Sequence, residues 1–211
     1  MLDSFLGKCV RTISTSPNRK RIYLTFDDGP EEPVTEQLLE LLEKHKVNVT
    51  FFVIGYKAAK RVSTLKRMME LGHSVGDHSL DHRYKHFFSS QDKLKNWITD
   101  SQNLLTRLIG EKPVGFRSPA GVRTPILVET LNQLNIPHVL WKFRYYDAFF
   151  GLTTQTVARS VKNIRNGDIV LLHDSHSGKR AERFLVAIES LILLLRNEGF
   201  EFCSLKPPLT P

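Results

Sequence analysis

The sequence predicts an α/β fold, a distorted (β/α) barrel of seven or eight parallel strands. From residue 21 onward, β-favouring runs alternate with segments of helical periodicity, which is typical of parallel βα units. Polar side chains suited to chemistry follow the first, third, fourth, fifth and sixth of these runs. Periodicity alone also permits an open doubly wound sheet. We favour the barrel because only a closed ring gathers the ends of so many strands around one mouth.

Seven β-favouring runs and six segments of helical period make up this alternation. The predicted strands are residues 22–26, 49–54, 73–76, 114–116, 138–141, 168–172 and 200–205. The predicted helices are residues 34–46, 58–71, 91–109, 124–134, 154–164 and 179–197. Gly72, Gly110, Gly167 and Gly199 come just after four of these helices, where glycine adopts the left-handed conformation of a helix end at little cost.

The length and composition predict one folded domain. An apolar fraction of 41% and a charged fraction of 25% are ordinary for globular proteins, and a chain of 211 residues can bury a sizeable core. We assign residues 1–20 to an N-terminal extension and residues 21–211 to the domain. The two cysteines, Cys9 and Cys203, are too few for a disulfide scaffold and are interpreted as ordinary thiols.

The N-terminal extension has apolar residues at positions 2, 5, 6 and 10, a helical spacing. It is interpreted as a short packing helix, with a weak membrane-surface anchor as the alternative. Charged residues at positions 3, 8 and 11 interrupt the apolar core that a signal peptide requires. No signal peptide is evident, which favours a cytoplasmic location. No apolar run reaches the roughly 18 residues of a transmembrane helix, so no transmembrane segment is predicted.

The chain is basic, with 30 Lys and Arg residues against 22 Asp and Glu residues and a formal net charge of +8. Such a charge attracts polyanions, whether nucleic acid, anionic glycan or acidic lipid. No zinc-finger spacing, RNA-recognition signature or aromatic-rich basic patch accompanies it. We therefore expect no nucleic-acid partner.

Two adjacent carboxylates, Asp27 and Asp28, end the first predicted strand within the run TFDDGP. Neighbouring side chains on a strand point to opposite faces, so both carboxylates can reach one site only if the chain leaves strand geometry there. Gly29 and Pro30 are suited to forcing that turn, although the same residues are common in turns without a function.

Two imidazoles, His78 and His82, lie four positions apart after the third predicted strand. If this segment is helical, the spacing puts both rings on one face, as in helical two-histidine metal sites. His86 continues the spacing but lies further from the strand end and is interpreted as a bystander. With eight histidines in the chain, surface histidines at a chance spacing remain the alternative.

Joined to a carboxylate, His78 and His82 would hold a divalent ion and leave coordination positions open, as a catalytic site requires. A second carboxylate would then serve as a general base. Arg117 is suited to orienting that base, and His173 to acting as an acid. Each residue alone is explained by packing or a salt bridge, but five coincident signals at strand ends favour catalysis.

In their order and spacing, the runs TFDDGP, HSLDH, FRSPAG, the region of Asp147 and LLHD resemble the polysaccharide deacetylase family, the NodB-homology domain of carbohydrate esterase family four. The resemblance covers residues 21–205. It implies a NodB-like distorted (β/α) barrel, with residues 21–211 as the catalytic domain. It also implies metal-dependent removal of N-acetyl, less often O-acetyl, groups, so an acetylated glycan is the expected partner.

The resemblance implies that Asp28, His78 and His82 bind the metal, usually zinc, although cobalt or nickel can serve. Asp27 would be the base that activates water, and Arg117 would orient Asp27.

By the same resemblance, His173 would protonate the leaving amine, and Asp147 would tune the pKa of His173. Leu171 would line the pocket for the acetyl methyl group. The backbone N–H of Ala120 would complete the site for the oxyanion.

The chain departs from the family pattern within two of these motifs. Ser118 stands where a second proline is usual, and Ala120 where a larger residue such as tyrosine is usual. Ala148 replaces the tryptophan that generally follows the fourth-motif aspartate, which opens one wall of the expected acetyl pocket. Phe149 or Phe150 is close enough in sequence to fill that wall, and a different acyl group or a bulkier substrate is the alternative.

Arg144 stands where an acidic or amide residue is frequent, which together with the net charge favours an anionic glycan. Three other functions remain open. A weakened glycan-binding protein on the same fold would explain Ala148 and Ser118. An iron oxygenase with two histidines and one carboxylate normally uses a β-sandwich, and a nucleic-acid binder would show steep salt dependence. Because Asp27 and His173 are both retained, the deacetylase is the prediction.

Overall fold

Strands and helices alternate along residues 7–210, the part of the chain that the computed structural model describes. The strands are β1 (Arg21–Asp27), β2 (Thr50–Val53), β3 (Ser74–Asp77), β4 (Phe143–Arg144), β5 (Ile169–His173) and β6 (Glu201–Phe202). The helices are α1 (Val34–Lys44), α2 (Gly55–Lys60), α3 (Val62–Glu70), α4 (Gln91–Ile109), α5 (Pro125–Gln133), α6 (Asp147–Phe150), α7 (Thr154–Ser160) and α8 (Gly178–Asn197). Short 3₁₀ turns span Tyr84–Phe88, Pro119–Gly121 and Val161–Asn163.

The sequence also led to predictions about the N-terminal segment, the two cysteines and membrane-spanning helices. The packing helix and the alternative membrane anchor depend on residues 2, 5 and 6, which lie outside the described residues. Cys9 and Cys203 are free thiols, as predicted. Among residues 7–210, no helix combines the length and apolar character needed to cross a bilayer.

The strands form a parallel sheet in the order β3-β2-β1-β5-β4, with β6 beside the amino end of β1. In this register Asp27 lies opposite Phe52 of β2 and opposite His173 of β5. The carboxyl ends of β1 and β5 therefore bring a carboxylate and an imidazole to the same end of the sheet.

Isolated bridges continue this pairing into a ring. Parallel bridges join Asp77 to Phe116, Phe116 to His138 and Val139 to Val10, and an antiparallel bridge joins Thr12 to Asp168. Asp168 directly precedes β5, which pairs with β1, so the predicted distorted (β/α) barrel is confirmed. Val10 and Thr12, which lie in the stretch assigned to the N-terminal extension, form part of the ring.

The prediction of extended strands over residues 114–116 and 138–141 is wrong. Their pairing is reduced to the bridges at Phe116, His138 and Val139. Pro113 and Pro137 directly precede these segments, and proline cannot donate to a ladder of hydrogen bonds. The predicted helix 58–71 is divided by Arg61, whose φ of −132° is not helical.

The alternation of side chains along β1 divides the core into two layers. Ile22, Leu24 and Phe26 pack with the surrounding helices, whereas Tyr23 packs in the interior of the barrel. Each large apolar side chain buried in this way contributes about 1.5–3 kcal/mol. Asp27 continues the inward-facing set, so it emerges from the interior at the mouth of the barrel.

Candidate active site

Asp27 and Arg117 form a buried ion pair at the carboxyl end of β1. Arg117 Nη1 donates to Asp27 Oδ1 at 2.7 Å, and the two side chains are 0% and 3% exposed. The guanidinium also lies over the ring of Phe52, 3.9 Å from its centroid. Its other acceptors are Thr25 Oγ1 and the carbonyl oxygens of Val139 and Leu140. Because every side of the guanidinium is held, Arg117 fixes the orientation of the Asp27 carboxyl group.

Asp28 leaves strand geometry, as it must if both Asp27 and Asp28 are to reach one site. Its φ is +76°, in the left-handed region that non-glycine residues seldom use. This turn directs Asp28 to the same mouth that Asp27 reaches from the strand. The neighbouring Gly29 admits no side chain, since a Cβ there would overlap the carboxylate of Asp174.

His78 and His82 converge on one oxygen of Asp28. Their Nε2 atoms lie 3.4 Å and 3.2 Å from Asp28 Oδ1, and the centroids of the two rings are 5.1 Å apart. His78 Nδ1 lies 2.8 Å from the carbonyl oxygen of Arg117, to which it can donate a hydrogen bond. That bond leaves the lone pair of Nε2 directed at Asp28, the arrangement found in metal-ligating histidines.

The segment that carries the two histidines is a loop, so the helical face that their spacing suggests is wrong. Ser79 and His82 have φ angles of +73° and +59°, and these turns bring the rings together instead. Asp77, which sequence reasoning missed, supports the loop. Its Oδ1 accepts from Ser79 N–H at 2.8 Å and from Ser101 Oγ at 2.6 Å. Burial raises the pKa of Asp77 to about 6, against the opposing effect of these hydrogen bonds.

Asp28, His78 and His82 fit a divalent metal ion. One ligand atom from each lies within 4.8 Å of the others. Asp28 Oδ1 is buried without a hydrogen-bond partner, which is unusual for a carboxylate oxygen unless a ligand completes its environment. Burial alone would raise the pKa of Asp28, but the two nearby imidazoles hold it well below its usual range. Two imidazoles and a carboxylate are a donor set that divalent transition metals accept.

His173 and Asp147 form a second pair at the end of β5. Asp147 Oδ1 lies 2.9 Å from His173 Nδ1, and Oδ2 accepts from the backbone N–H of His173 at 2.8 Å. Burial lowers the pKa of His173, but the hydrogen bond and charge of Asp147, with the charges of Asp27 and Asp28, outweigh burial and raise it to about 9. Because Asp147 holds Nδ1, Nε2 is the nitrogen left to exchange a proton.

His176 joins this pair, and sequence reasoning missed it. Its Nε2 lies 3.3 Å from Asp147 Oδ2, and its ring packs against Phe184 with the centroids 4.5 Å apart. Burial raises the pKa of Asp147, but hydrogen bonds from His173 and His176 outweigh it and lower the pKa to about 2. A second histidine, three residues after His173, was the available signal in the sequence.

Asp174 is a buried acid beneath the turn at Gly29. Thr35 Oγ1 donates to Asp174 Oδ2 at 2.7 Å, whereas Oδ1 has no hydrogen-bond partner. Burial raises the pKa of Asp174 to about 7, and the charge of Asp28 adds to this rise. Because Thr35 Oγ1 also accepts from the backbone N–H of Glu31 at 2.8 Å, Asp174 is linked to the turn that follows Asp28.

Ala120 lies in the turn that follows Arg117. Its φ is +53°, and the ring of Trp141 packs against Gly121 so closely that a Cβ at Gly121 would overlap the ring. At the start of the turn, Ser118 Oγ is 3.1 Å from His138 Nε2, and both side chains are buried. Ser118, which stands at the position of the usual second proline, thus ties the turn to the barrel wall.

Leu171 lies on the inward-facing side of β5. Its neighbours Val170 and Leu172 pack in the outer core layer with the helices, which places Leu171 on the opposite face together with His173. Only 5% of Leu171 is exposed.

Neither Phe149 nor Phe150 fills the space beside Ala148. Their side chains are 78% and 86% exposed, and their ring centroids are 6.5 Å apart. The prediction that one of them replaces the missing tryptophan is therefore wrong for this structure. The short helix α6 is anchored through Asp147, and the two rings that follow project into solvent.

Known proteins are similar to this chain in sequence and in fold. Residues 14–139 match the family described as polysaccharide deacetylase. A peptidoglycan-N-acetylglucosamine deacetylase of Bacillus cereus is 33% identical over 187 residues, which are 88% of this chain and 86% of that protein. A peptidoglycan-N-acetylglucosamine deacetylase of Listeria monocytogenes is 31% identical over 93% of this chain, but this chain covers only 40% of its length.

Solved structures agree with the sequence relatives. The Bc1960 peptidoglycan N-acetylglucosamine deacetylase, crystallised with a 4-naphthalen-1-yl-N-oxidanyl-benzamide, superposes with a TM-score of 0.82 at 28% identity, over 91% of this chain and 88% of that one. The ordered motifs, the barrel and these similarities together show that the chain belongs to the polysaccharide deacetylase family, hydrolases that act on N-acetyl sugars.

Proposed function

We propose that this protein hydrolyses the acetamido group of an N-acetylated glycan in a metal-dependent reaction, with zinc as the ion and cobalt or nickel as substitutes. The observation that carries the proposal is the convergence of Asp28, His78 and His82 beside the buried pair of Asp27 and Arg117. The names of the relatives support N-acetylglucosamine in a peptidoglycan-type glycan as the acetylated sugar, ahead of an O-acetyl group.

Asp28, His78 and His82 would hold the ion. When bound, such an ion polarises a carbonyl group and lowers the pKa of water. The hydrogen bond from His78 Nδ1 to the Arg117 carbonyl oxygen would keep the His78 ring in the orientation that ligation needs.

Asp27 would act as the general base. Its Oδ1 is engaged by Arg117, whereas Oδ2 lies 3.8 Å from His78 Nε2 and so faces the ligand set. Oδ2 would take a proton from the water whose oxygen forms the new bond to the acetyl carbon. Positioned general bases typically contribute about 10²–10⁴-fold to the rate.

His173 would act as the general acid. With Nδ1 held by Asp147, Nε2 would donate its proton to the sugar nitrogen as the carbon–nitrogen bond breaks, which gives acetate and a free amine. The raised pKa of His173 keeps the imidazole protonated at neutral pH, as an acid requires. The backbone N–H of Ala120 would stabilise charge on the carbonyl oxygen, and Leu171 would contact the acetyl methyl group.

Acetate release tests the proposal directly. The protein is chelated, resupplied with zinc, cobalt or nickel, and incubated with N-acetylglucosamine oligomers and peptidoglycan fragments. We expect metal-dependent acetate from the wild type and a loss of about 10²–10⁴-fold in Asp27→Asn, with the metal retained. Binding of glycan without acetate release, at one equivalent of metal, would instead identify a glycan-binding protein.

A further inference from the structure

A basic groove begins at the Ala120 turn, and apart from Ala120 its lining residues have no role in the proposed reaction. The groove, here the Arg144 groove, encloses about 700 Å³ and is lined in part by Ala120, Trp141, Lys142, Arg144 and Tyr146. Lys142 and Arg144 place positive charge on its surface, and none of the described residues that line it is Asp or Glu. A concave surface with one sign of charge concentrates ligands of the opposite sign, so the groove suits an anion.

Arg144 is the residue in this groove that is best prepared to bind an anion. Its guanidinium carbon lies 4.0 Å from the centroid of the Tyr146 ring and 6.0 Å from that of Trp141. Its Nη2 donates to Tyr146 Oη at 2.7 Å, and among residues 7–210 no other hydrogen-bond acceptor contacts Arg144. Stacking on the Tyr146 ring orients the guanidinium, and its other N–H groups keep the geometry that matches a carboxylate.

The groove adjoins the catalytic mouth through backbone and side-chain contacts. Arg144 pairs with Leu171 in the sheet, two residues before His173. The carbonyl oxygen of Leu140, which also lines the groove, accepts from Arg117 Nη2 at 3.1 Å. A glycan with its acetyl group at the mouth would therefore extend along the groove.

We propose that Arg144 binds a carboxylate on a sugar next to the acetylated one and thereby makes the protein selective for acidic glycans. The proposal rests on the proposed function, because it assumes that the acetylated sugar lies at the mouth. The planar guanidinium on the Tyr146 ring would give a carboxylate two parallel N–H donors, while the Trp141 ring would contact the apolar face of a sugar.

Three oligomers of equal length test the selectivity of the metal-loaded protein. The first contains N-acetylglucosamine only, the second alternates it with N-acetylmuramic acid that has a free carboxylate, and the third is the second with its carboxyl groups reduced to alcohols. We expect kcat/KM to be about tenfold higher for the second oligomer than for the third. This ratio should fall to near one in Arg144→Gln, mainly through KM, and recover partly in Arg144→Lys. The exposed Arg159 does not line the groove, so Arg159→Gln should keep the wild-type ratio.

Binding to Asp27→Asn, measured by calorimetry with the same oligomers, separates this proposal from the proposed function. Tighter binding of the acidic oligomer that is lost on adding Arg144→Gln supports a carboxylate site even if no acetate is released. Equal affinity for the acidic and reduced oligomers, or a preference that survives Arg144→Gln, overturns the carboxylate site even if acetate is released.

Discussion

The carbonyl oxygen of Arg117 lies 2.8 Å from His78 Nδ1, while the guanidinium of the same residue holds Asp27 at 2.7 Å. Arg117 therefore orients a candidate metal ligand through its backbone and the candidate base through its side chain. A side-chain substitution separates these two effects, because it leaves the bond to His78 available.

Arg117→Lys should retain metal and lose activity. A lysine ammonium cannot satisfy the four acceptors around the guanidinium, so the free energy of unfolding should fall by about 1–3 kcal/mol and kcat by at least about tenfold. Urea denaturation, metal content and acetate release measure the three quantities. Arg159→Lys, on an exposed part of α7, is the control. An unchanged kcat would show that Arg117 does not orient the base.

His78→Ala and His82→Ala should each reduce metal content sharply, because each removes one of three ligands. His86→Ala is the matched control. The His86 ring stacks on Trp97 with the centroids 4.5 Å apart, and His86 does not belong to the ligand cluster. Metal analysis after dialysis gives the stoichiometry of each variant. One equivalent of metal in His78→Ala or His82→Ala would refute the ligand assignment.

Asp147→Asn should lower the pKa of His173 and destabilise the protein in a pH-dependent way. The pKa of His173 rises from 6.5 to about 9 in the folded protein, so its contribution to stability is complete below pH 6.5 and is lost as the pH rises through about 9. The pKa of Asp147 falls from 3.8 to about 2 in the folded protein, so the contribution of Asp147 to stability is complete above pH 3.8. The difference in unfolding free energy between wild type and variant should therefore be larger at about pH 6 than at about pH 10.

Two measurements check this expectation. Urea denaturation at both pH values gives the stability difference, and the NMR shift of the His173 ring gives its pKa. Asp100→Asn, on an exposed position of α4, should show neither effect. A stability difference that is the same at both pH values would mean that the charge of His173 does not contribute.

Ala148→Trp should increase kcat/KM on acetylated glycans by about tenfold, since Phe149 and Phe150 leave the wall of the pocket open. The substitution restores the aromatic residue that is usual at this position, and neither exposed phenylalanine needs to move to admit it. Ala158→Trp, on an exposed position of α7, controls for the added ring. An unchanged or lower rate would show that the pocket does not need this wall.

The residues of the site could be predicted more reliably than their geometry. Asp27 and Asp28 follow from the alternation of β1 and the turn after it, both local properties. His78 and His82 come together as predicted but not on a helix, because the loop brings the two rings to one point through the positive φ of Ser79 and His82.

The supporting contacts of His176 and Asp174 could not be predicted because their partners are distant in sequence. Asp147 meets His176 across 29 positions, and Asp174 meets Thr35 across 139. The helices were easier to predict. Helix α4 has the predicted bounds because its apolar period is long and uninterrupted. The bridges at Phe116 and His138 were overestimated as strands, since proline beside each segment limits its ladder.

The segment of residues 10–12 closes the ring between residues 139 and 168, and these partners are separated from it by more than half of the chain. Joining such distant segments costs chain entropy before any contact compensates for it, so closure should be a late step of folding. Until that step, the strand edges at Val139 and Asp168 expose unpaired backbone groups, which are templates for pairing with other molecules. Closure by residues 10–12 should therefore end this exposure, and variants that weaken the pairing of this segment should reduce the refolding yield first.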